Sequence, residues 1–397
     1  MAELALGLIT VYLVLTAGRI GLAVSHLRGT PKGAQARHGR RDGSRESGPV
    51  SQESAEQVTV LQAIRSGDPL LPGVLAANRV NLAGAHLVWL VDEDDPAGVA
   101  AAQSAAYGAG GRVDVLLVPP LTQGRNPKVA KLVVGLERSG PLVAVLDDDT
   151  VLPAGALERA VDALADGDLV TGLPVYREQG SLWSRLVAGF VNGSSLITYP
   201  TLARVSAPVT INGMFSLTRR SVLEGLGGFV AIQDRVCDDY ELALLYRRAG
   251  LRIVQSPVVH TLATTVRGAD GYLRIMRRWM LFTTQVLRGD LTAAMVVLVV
   301  LPTALPLAAL AAAALAGRAE IVGAVVAGVL AKAVATALLR RAHPPAPCGL
   351  LGVLLEGVAD LTTPLHAVAA AVGPRTVKWR DRQVEVPRAA GQPERMR

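Results

Sequence analysis

The sequence predicts an α/β fold with a mainly parallel sheet, flanked on both sides by hydrophobic helices. Residues 58–265 carry short apolar runs that alternate with helical stretches, which is the pattern of a sheet covered by helices on both faces. The segments before and after them are long and apolar, and the 397 residues have a mean hydropathy of +0.36. That value is high for a simple soluble enzyme and indicates membrane segments.

The first hydrophobic segment, residues 4–27, is long enough to cross a bilayer at about 1.5 Å per residue. Its one internal charge, Arg19, lies close enough to an end for the side chain to reach the interface. The chain starts with "MAE" rather than with basic residues, so the segment is interpreted as an anchor and not as a cleaved signal peptide. Residues 28–57 are basic and rich in Gly, Ser and Gln, and predict a disordered linker on the cytoplasmic side.

Four runs predict strands: "VTVLQAI", "HLVWLVD", "DVLLVP" and "LVAVLDDD". Each is followed by turn or helix signals, and their continuous apolar character is typical of parallel strands between helices. Ligands of such sheets bind beyond the carboxyl ends of the strands. Two of the four runs end in acidic residues, at Asp92 and at Asp147, so the sequence predicts a site there.

The chain becomes membrane-like again after Gly289. Two spans are predicted at 291–316 and 321–339, while residues 349–373 form a weaker third segment because they contain three ionisable residues: Glu356, Asp360 and His366. A span at 349–373 would place the basic tail outside, against the positive-inside rule. That segment is therefore predicted to be re-entrant or interfacial, and its topology stays open. The predicted divisions are an anchor (1–27), a linker (28–57), an α/β domain (58–289), a membrane region (290–373) and a basic tail (374–397).

Composition restricts the partners. A net charge of +7 and a pI near 9.7 fit nucleic acid, an anionic membrane surface or a phosphorylated substrate. Aromatic residues make up only 4%, too few for a base-stacking surface, and no zinc-finger or helix-turn-helix pattern occurs, so nucleic acid is not expected. Cys237 and Cys348 lie far apart without metal-ligand or disulfide spacing. Both are interpreted as inert, with Cys237 as a packing residue.

Three acidic clusters stand out: "VDEDDP" (91–96), "DDDT" (147–150) and "QDRVCDDYELA" (233–243). Asp and Glu also occur simply as helix caps, and capping is the alternative for each cluster taken alone. The second cluster fits capping least, because three like charges follow a buried strand directly. A divalent cation, Mg²⁺ or Mn²⁺, would relieve their repulsion, since hard cations prefer carboxylate and phosphate oxygens.

The order of the motifs is more specific than any one of them. The set runs "VTVLQAIRSGDPLL", "VDEDDPA", "NPKVAKL", "VLDDDTVLP", "INGMFSLTRRSVLEGLGGF", "DDYELALLYRRAG" and "RIMRRWM". From about Val58 to Met280 the chain resembles the ceramide glucosyltransferase-like branch of inverting, nucleotide-sugar-dependent membrane glycosyltransferases. The resemblance implies a GT-A fold, a nucleotide-sugar donor, a divalent metal and a lipid acceptor at a membrane.

The resemblance also implies roles for the acids of the first two clusters. Asp92 matches the family aspartate expected near the nucleotide base or ribose. Asp147 and Asp149 match the metal-binding pair that holds the donor diphosphate, with Asp147 also contacting the donor. Lys128, in "NPK", matches the family lysine that counters phosphate charge.

Catalysis is assigned by the last two motifs. Asp239 matches the general base, and Asp238 takes the place of the acid that precedes it at the donor. Arg278 and Trp279 match the end of the (Gln/Arg)-x-x-Arg-Trp motif. The chemistry agrees with these roles, because an acceptor hydroxyl needs a carboxylate to take its proton and a diphosphate leaves only when its charge is neutralised.

The chain departs from the family pattern in two places. Ile275 stands where the first Gln or Arg of the Trp motif is expected. Arg274 and Arg278 are one helical turn apart and share a face, so Arg274 is the candidate substitute at the donor. Gln62 and Ala63 stand where relatives often have a basic residue and a proline, which puts recognition of the donor base in question.

We therefore expect a multi-pass plasma-membrane enzyme whose catalytic domain faces the cytoplasm and which moves a hexose, UDP-linked, to a lipid hydroxyl. Ceramide-, hopanoid- and glycerolipid-like acceptors stay open. Two alternatives remain: a processive polysaccharide synthase, and a catalytically degenerate membrane protein that only binds nucleotide. The departure at Ile275 and the low number of spans argue against the synthase.

Overall fold

The computed structural model describes residues 1–29, 54–107, 112–119, 125–342, 348–379, 382–385 and 395–396. Most of the predicted linker lies outside these residues. Contacts divide the chain into two compact units. Unit 1 comprises Met1–Leu27, Pro174–Ala207 and Thr261–Arg397, and unit 2 comprises Arg28–Leu173 and Pro208–His260. The predicted catalytic domain, 58–289, contributes to both units, and its boundaries stay a prediction.

The helices, in chain order, are α1 Ala2–Arg28, α2 Leu71–Asn81, α3 Pro96–Ala106, α4 Pro127–Glu137, α5 Ala156–Ala163, α6 Leu182–Asn192, α7 Ser195–Val205, α8 Arg220–Gly225, α9 Asp238–Arg248, α10 Ala269–Asp290, α11 Ala293–Ala316, α12 Ala319–Arg341 and α13 Leu350–Val372. The strands are β1 Val58–Ile64, β2 His86–Asp92, β3 Val113–Val118, β4 Leu142–Leu146, β5 Thr150–Val151, β6 Leu169–Tyr176, β7 Phe215–Arg219, β8 Ile253–Leu262, β9 Thr376–Trp379, β10 Arg382–Glu385 and β11 Arg395–Met396.

Unit 2 is built on an eight-stranded sheet with the order β3-β2-β1-β4-β7-β6-β8-β5, to which β6 and β8 contribute all but their last residues. The four predicted strands, β1 to β4, are parallel neighbours. β7 runs antiparallel to both β4 and β6. The structure confirms the predicted α/β class with a mainly parallel sheet.

The residues of the parallel strands alternate between two hydrophobic clusters. In β4, Leu142, Ala144 and Leu146 belong to one cluster, and Val143 and Val145 belong to the other. β1 and β2 alternate in the same way. Because successive side chains of a strand point to opposite faces, this division means that both faces of the sheet are covered, which explains why the strands read as unbroken apolar runs.

Unit 1 contains the hydrophobic helices. Within the described residues, α1, α11 and α12 are the three helices that are long and apolar enough to cross a membrane, in agreement with the predicted spans. α13 is a continuous helix but is not one of these three. In the tail, β9, β10 and β11 form a small antiparallel sheet.

Arg19 does not follow the expectation from sequence. Its side chain is only 6% exposed and donates from Nη2 to Thr198 Oγ1 at 2.7 Å instead of extending to an interface. The Arg19 carbonyl also accepts a hydrogen bond from Thr201 Oγ1 at 2.8 Å. The charge is therefore tolerated because α7 supplies polar partners, which the sequence of α1 alone does not reveal.

Candidate active site

Asp92 and Asp147 lie at the same edge of the sheet. β1, β2 and β4 are parallel, so their carboxyl ends share one side. Asp92 is the last residue of β2 and Asp147 directly follows β4. β7 begins on this side because it is antiparallel to β4, with Leu146 opposite Phe215. The Asp147 backbone N–H donates to the Met214 carbonyl at 3.0 Å, which brings the "INGM" segment to the acids.

Lys128 joins three of the predicted motifs. Its Nζ lies 2.7 Å from Asp147 Oδ1 and 3.1 Å from Asp238 Oδ2, and it donates to the Gly213 carbonyl at 3.0 Å. The Lys128 side chain is 14% exposed. Residues predicted from separate motifs therefore form one contact set around a single ammonium group.

Lys128 and Asp147 shift each other's pKa. Burial alone would lower the pKa of Lys128, but the Asp147 and Asp238 carboxylates outweigh burial and hold that pKa above its usual value. Burial raises the pKa of Asp147 to about 6, against the opposing charge of Lys128 and with a further upward contribution from Asp149. The lysine thus remains a cation while it restrains the repulsion between the acids.

Asn126 fixes the position of Lys128. Its side chain caps α4 by accepting from the Lys128 backbone N–H at 2.9 Å and from the Val129 N–H at 3.3 Å. Its amide group donates to the Arg235 carbonyl at 2.8 Å, and its backbone N–H donates to the Gln233 carbonyl at 2.6 Å. One buried asparagine therefore ties the start of α4 to the loop that leads into Asp238 and Asp239. The "NPK" motif is a cap, a helix-starting proline and the lysine that contacts the acids, in succession.

Asp239 is held through one carboxylate oxygen, and the other oxygen faces Gly213. Its Oδ1 accepts from the Cys237 thiol at 3.1 Å and from the Tyr240 N–H at 2.8 Å. A Cβ built on Gly213 would lie 3.3 Å from Asp239 Oδ2, so a glycine leaves room beside that oxygen. Asp239 lines a small cavity together with Lys128, Gly213 and Asp238. Burial, followed by the neighbouring Asp238 charge, raises the pKa of Asp239.

Asp92 has a partner that the sequence analysis did not single out. Lys131 Nζ lies 2.6 Å from Asp92 Oδ2 and also donates to the Ile64 carbonyl at 2.7 Å. The Lys131 side chain is fully buried. Its position three residues after Lys128 places both lysines on one face of α4, but the sequence does not record that Lys131 meets Asp92.

Two acids of the clusters have structural roles. Asp148 accepts the Arg65 backbone N–H at 2.7 Å and links the segment after β4 to the end of β1. Asp95 caps α3 by accepting from the Gly98 N–H at 3.0 Å, and it also accepts from the Ser66 N–H at 2.8 Å. The capping alternative is correct for Asp95.

Gln62, one of the departures from the family pattern, is completely buried. Its Oε1 accepts from Trp89 Nε1 at 2.9 Å, and its Nε2 donates to the Asp147 carbonyl at 3.3 Å. Gln62 therefore supports the backbone of an acid in the site through a hydrogen-bonded pair in the sheet.

Arg274, Ile275, Arg278 and Trp279 all lie on α10, in unit 1. Arg274 and Arg278 are one turn apart on this helix. The Trp279 ring stacks on Phe190 with centroids 5.6 Å apart and meets Tyr176 edge-on at 6.3 Å. The roles assigned to Arg274, Arg278 and Trp279 stay predictions.

Asp147 and Asp149 fit a hard divalent cation by their chemistry. They offer two partly exposed carboxylates on the segment between β4 and β5. Lys128 contacts Oδ1 of Asp147, and a carboxylate carries a second oxygen. Mg²⁺ commonly takes one or two protein carboxylates and completes its shell with water and phosphate oxygens. The chemistry of the pair fits such a cation, and the assignment of Asp147 and Asp149 as metal ligands stays a prediction.

A family model described as glycosyl transferase family 21 matches residues 28–390. No curated protein matches the sequence. Among solved structures, the mannosyltransferase PcManGT from Pyrobaculum calidifontis, in complex with GDP-Man and Mn²⁺, is 20% identical over 92% of this chain and 98% of that chain, with a TM-score of 0.48. The glucosyl-3-phosphoglycerate synthase of Mycobacterium tuberculosis, in complex with phosphoglyceric acid, is 19% identical over 63% of this chain and 84% of that chain, with a TM-score of 0.35.

Proposed function

This chain belongs to glycosyl transferase family 21, and from that premise we propose that it moves a hexose from a UDP-linked donor to a lipid hydroxyl, with inversion and with a divalent metal. The protein is a glycosyltransferase that uses a nucleotide-sugar donor. The observation that carries the proposal is the Lys128 contact set. It joins Asp147, the acid assigned to the diphosphate, to Asp238, and Asp239 lines the same cavity.

Asp239 is the proposed general base. A hydroxyl is a weak nucleophile until a positioned carboxylate accepts its proton during attack. The raised pKa of Asp239 makes it a stronger base than an exposed aspartate, and its Oδ1 contacts leave Oδ2 on the side of Gly213. A single base with direct displacement inverts the anomeric centre, whereas retention by double displacement needs a nucleophilic carboxylate as well.

The leaving diphosphate needs positive charge around it. Lys128 supplies one ammonium group at the edge of the sheet. A divalent cation bound by Asp147 and Asp149 would neutralise charge on the leaving group. Lys128 also keeps Asp147 and Asp238 close together in the absence of a donor, so the phosphate-binding half of the site is organised before the substrate arrives.

A lipid acceptor is supported by the three hydrophobic helices. Helices that can hold a protein in a bilayer give direct access to a hydroxyl at the membrane surface, and a soluble acceptor would not require them. We place the catalytic domain on the cytoplasmic side of the plasma membrane, because the segment after α1 is strongly basic. Ceramide-, hopanoid- and glycerolipid-like alcohols all satisfy this chemistry.

The test uses the full chain purified in detergent. Asp239→Asn keeps the shape of the side chain, and we expect transfer to fall by about 10²-fold or more while the melting temperature stays close to that of the wild type. Asp234→Asn is the matched control, since Asp234 is an exposed acid of the same loop. Chelation should abolish transfer, and added Mn²⁺ should restore it.

The acceptor is identified from cells. Lipid extracts of cells with the wild type and with Asp239→Asn are compared for a glycolipid that only the active protein produces. Near-normal transfer by Asp239→Asn removes that residue as base. A wild type that binds UDP but neither transfers nor hydrolyses the donor favours the degenerate binding protein instead.

A further inference from the structure

We propose that Lys131 is a positioning residue for the nucleoside half of the donor site: its ammonium group orients the Asp92 carboxylate toward the nucleoside of a nucleoside-diphosphate sugar. The inference rests on the proposed function and deepens it. None of the family motifs quoted above assigns a role to Lys131, and its contacts carry the argument.

Lys131 is a charged residue at a buried position of α4, where an apolar side chain is expected. Its neighbours Ala130 and Leu132 are buried in the core between α4 and the sheet, and the Lys131 side chain is fully buried. Enclosing an ammonium group is costly unless it is paired and hydrogen-bonded. A methionine would fill a similar volume without that cost. The charge is therefore explained by what its end contacts, Asp92 Oδ2 at 2.6 Å and the Ile64 carbonyl at 2.7 Å.

Both contacts lie at the ends of adjacent parallel strands. Ile64 is the last residue of β1 and Asp92 is the last residue of β2, and Ile64 pairs with Val91 in the register. One lysine thus bridges the two strand ends beyond which a sheet of this kind binds its ligand. The bridge fixes the direction in which the Asp92 side chain leaves the sheet.

α4 carries one lysine for each half of the proposed donor site. Lys128 and Lys131 stand one turn apart on the same face of the helix, and each contacts the acid of a different strand end. Lys128 contacts Asp147, assigned to the diphosphate, and Lys131 contacts Asp92, assigned to the nucleoside. A single rigid helix therefore sets the spacing between the two halves, which must match the distance from nucleoside to phosphate.

Asp92 remains accessible while its partner is enclosed. The Asp92 side chain is 20% exposed, whereas Lys131 has no exposed side-chain surface. A carboxylate accepts hydrogen bonds through two oxygens, from ribose hydroxyls or from base N–H groups. Lys131 acts through Asp92 and does not itself contact the nucleoside.

The experiment measures UDP binding by isothermal titration calorimetry on the full chain in detergent. We expect Lys131→Met to raise the Kd for UDP about tenfold or more, because an oriented charged hydrogen-bond acceptor is lost. In turnover, the KM for the donor should rise while kcat at saturating donor changes less. Lys332→Met is the matched control: Lys332 is also a buried lysine, 2.9 Å from an aspartate that is 20% exposed, but it belongs to unit 1. The Kd of Lys332→Met for UDP should equal that of the wild type.

A double-mutant cycle with Asp92→Asn separates positioning from general disruption. If Lys131 acts through Asp92, then Lys131→Met changes the Kd of the Asp92→Asn protein by less than about twofold. Lys131→Gln, which keeps a hydrogen-bond donor, is the second variant and is used in the same cycle if Lys131→Met does not fold. Additive losses in the cycle, or a folded Lys131 variant with the wild-type Kd, overturn the inference. If the wild type binds no UDP, the proposed UDP donor is wrong. That outcome is distinct from a failure of the Lys131 inference, which requires a wild type that binds UDP.

Discussion

The three consecutive aspartates of "DDDT" make three different contacts. Asp147 contacts Lys128, Asp148 accepts the Arg65 backbone N–H, and Asp149 accepts a hydrogen bond from Thr150 Oγ1 at 3.2 Å. Their repulsion is therefore already reduced by a lysine and by a backbone dipole before any cation binds. Asp147 and Asp149 stay the predicted metal ligands, and Asp148 is the structural member of the run.

Cys237 is the residue whose interpretation changes most. Its sequence context indicated packing, and the thiol is indeed buried. The structure adds a hydrogen bond from the thiol to Oδ1 of Asp239. Burial, followed by the Asp239 charge, holds the pKa of Cys237 well above its usual value, so the thiol keeps the proton that it donates.

Removing that thiol should shift the pH dependence of the enzyme. A donor to the ionised carboxylate lowers the carboxylate pKa, so Cys237→Ala raises the pKa of Asp239. The proposed base acts deprotonated, so the proposal predicts that activity lost on acidification is lost at a higher pH in the variant, by a few tenths to about one pH unit. The measurement is kcat against pH at saturating substrates. Cys237→Ser restores a donor and should bring the profile back toward that of the wild type, and an unshifted Cys237→Ala profile contradicts the role.

At the scale of elements, α4 and the loop before α9 hold the charged residues of the site in position. α4 carries Lys128 and Lys131, and Asn126 joins its first turn to the loop through the Gln233 and Arg235 carbonyls. Gly227 and Gly228 make the turn after α8 with φ of 93° and 63°, values that favour glycine. The "GLGGF" segment makes a turn and leads into a 3-10 helix, Phe229–Ile232.

Asn126→Ala should affect stability and donor binding together. Loss of the cap costs about 1 kcal/mol, and loss of the side-chain bond to Arg235 weakens the link between the lysine-bearing turn and the Asp238 loop. We expect a lower melting temperature and a higher donor KM. Ser181→Ala is the matched control, because Ser181 caps α6 by accepting from the Ser184 N–H at 3.1 Å. That variant should lose stability without a change in donor KM. Equal KM values for both variants would mean that Asn126 is only a cap.

At the scale of the whole molecule, the hydrophobic helices are joined by buried charges. Lys332 and Tyr12 both contact Asp360, each at 2.9 Å, and Arg340 pairs with Glu356. Glu356, Glu178 and Cys348 lie close enough to resemble a metal site. The Arg340 guanidinium of α12 contacts both Glu356 of α13 and Glu178, which lies between β6 and α6. The positive charge in this cluster is therefore supplied by the protein.

Removing one member of the Arg340–Glu356 pair should lower the stability of the protein more than removing both members. Arg340→Met leaves Glu356 buried without its cation, and such a change costs about 3–5 kcal/mol. Arg340→Met combined with Glu356→Leu removes the fully buried pair and leaves only Glu178, whose side chain is 12% exposed, so the double variant should recover most of that loss. Thermal unfolding in detergent measures both. A double variant as unstable as Arg340→Met would show that the helices need the polar contacts themselves, such as the Arg340 bond to the Asn192 carbonyl.

The sequence by itself determined the fold class, the hydrophobic helices and the acids at the strand ends. These follow from local patterns: apolar runs that define β1 to β4, long apolar stretches, and charges placed directly after strands. The ordered motifs added the family, which the match over residues 28–390 confirms. Local order along the chain is sufficient for each of these features.

Only the tertiary structure decided which charges meet. Lys131 and Asp92, Lys128 and Asp238, and Arg340 and Glu356 are pairs between separate elements. No periodicity records such pairs, because they depend on strand register and on the face that each helix turns toward its neighbour. Lys131 looks like one more residue of an amphipathic helix in the sequence. In the fold its buried ammonium group contacts the ends of two strands, and that contact gives it a role at the site.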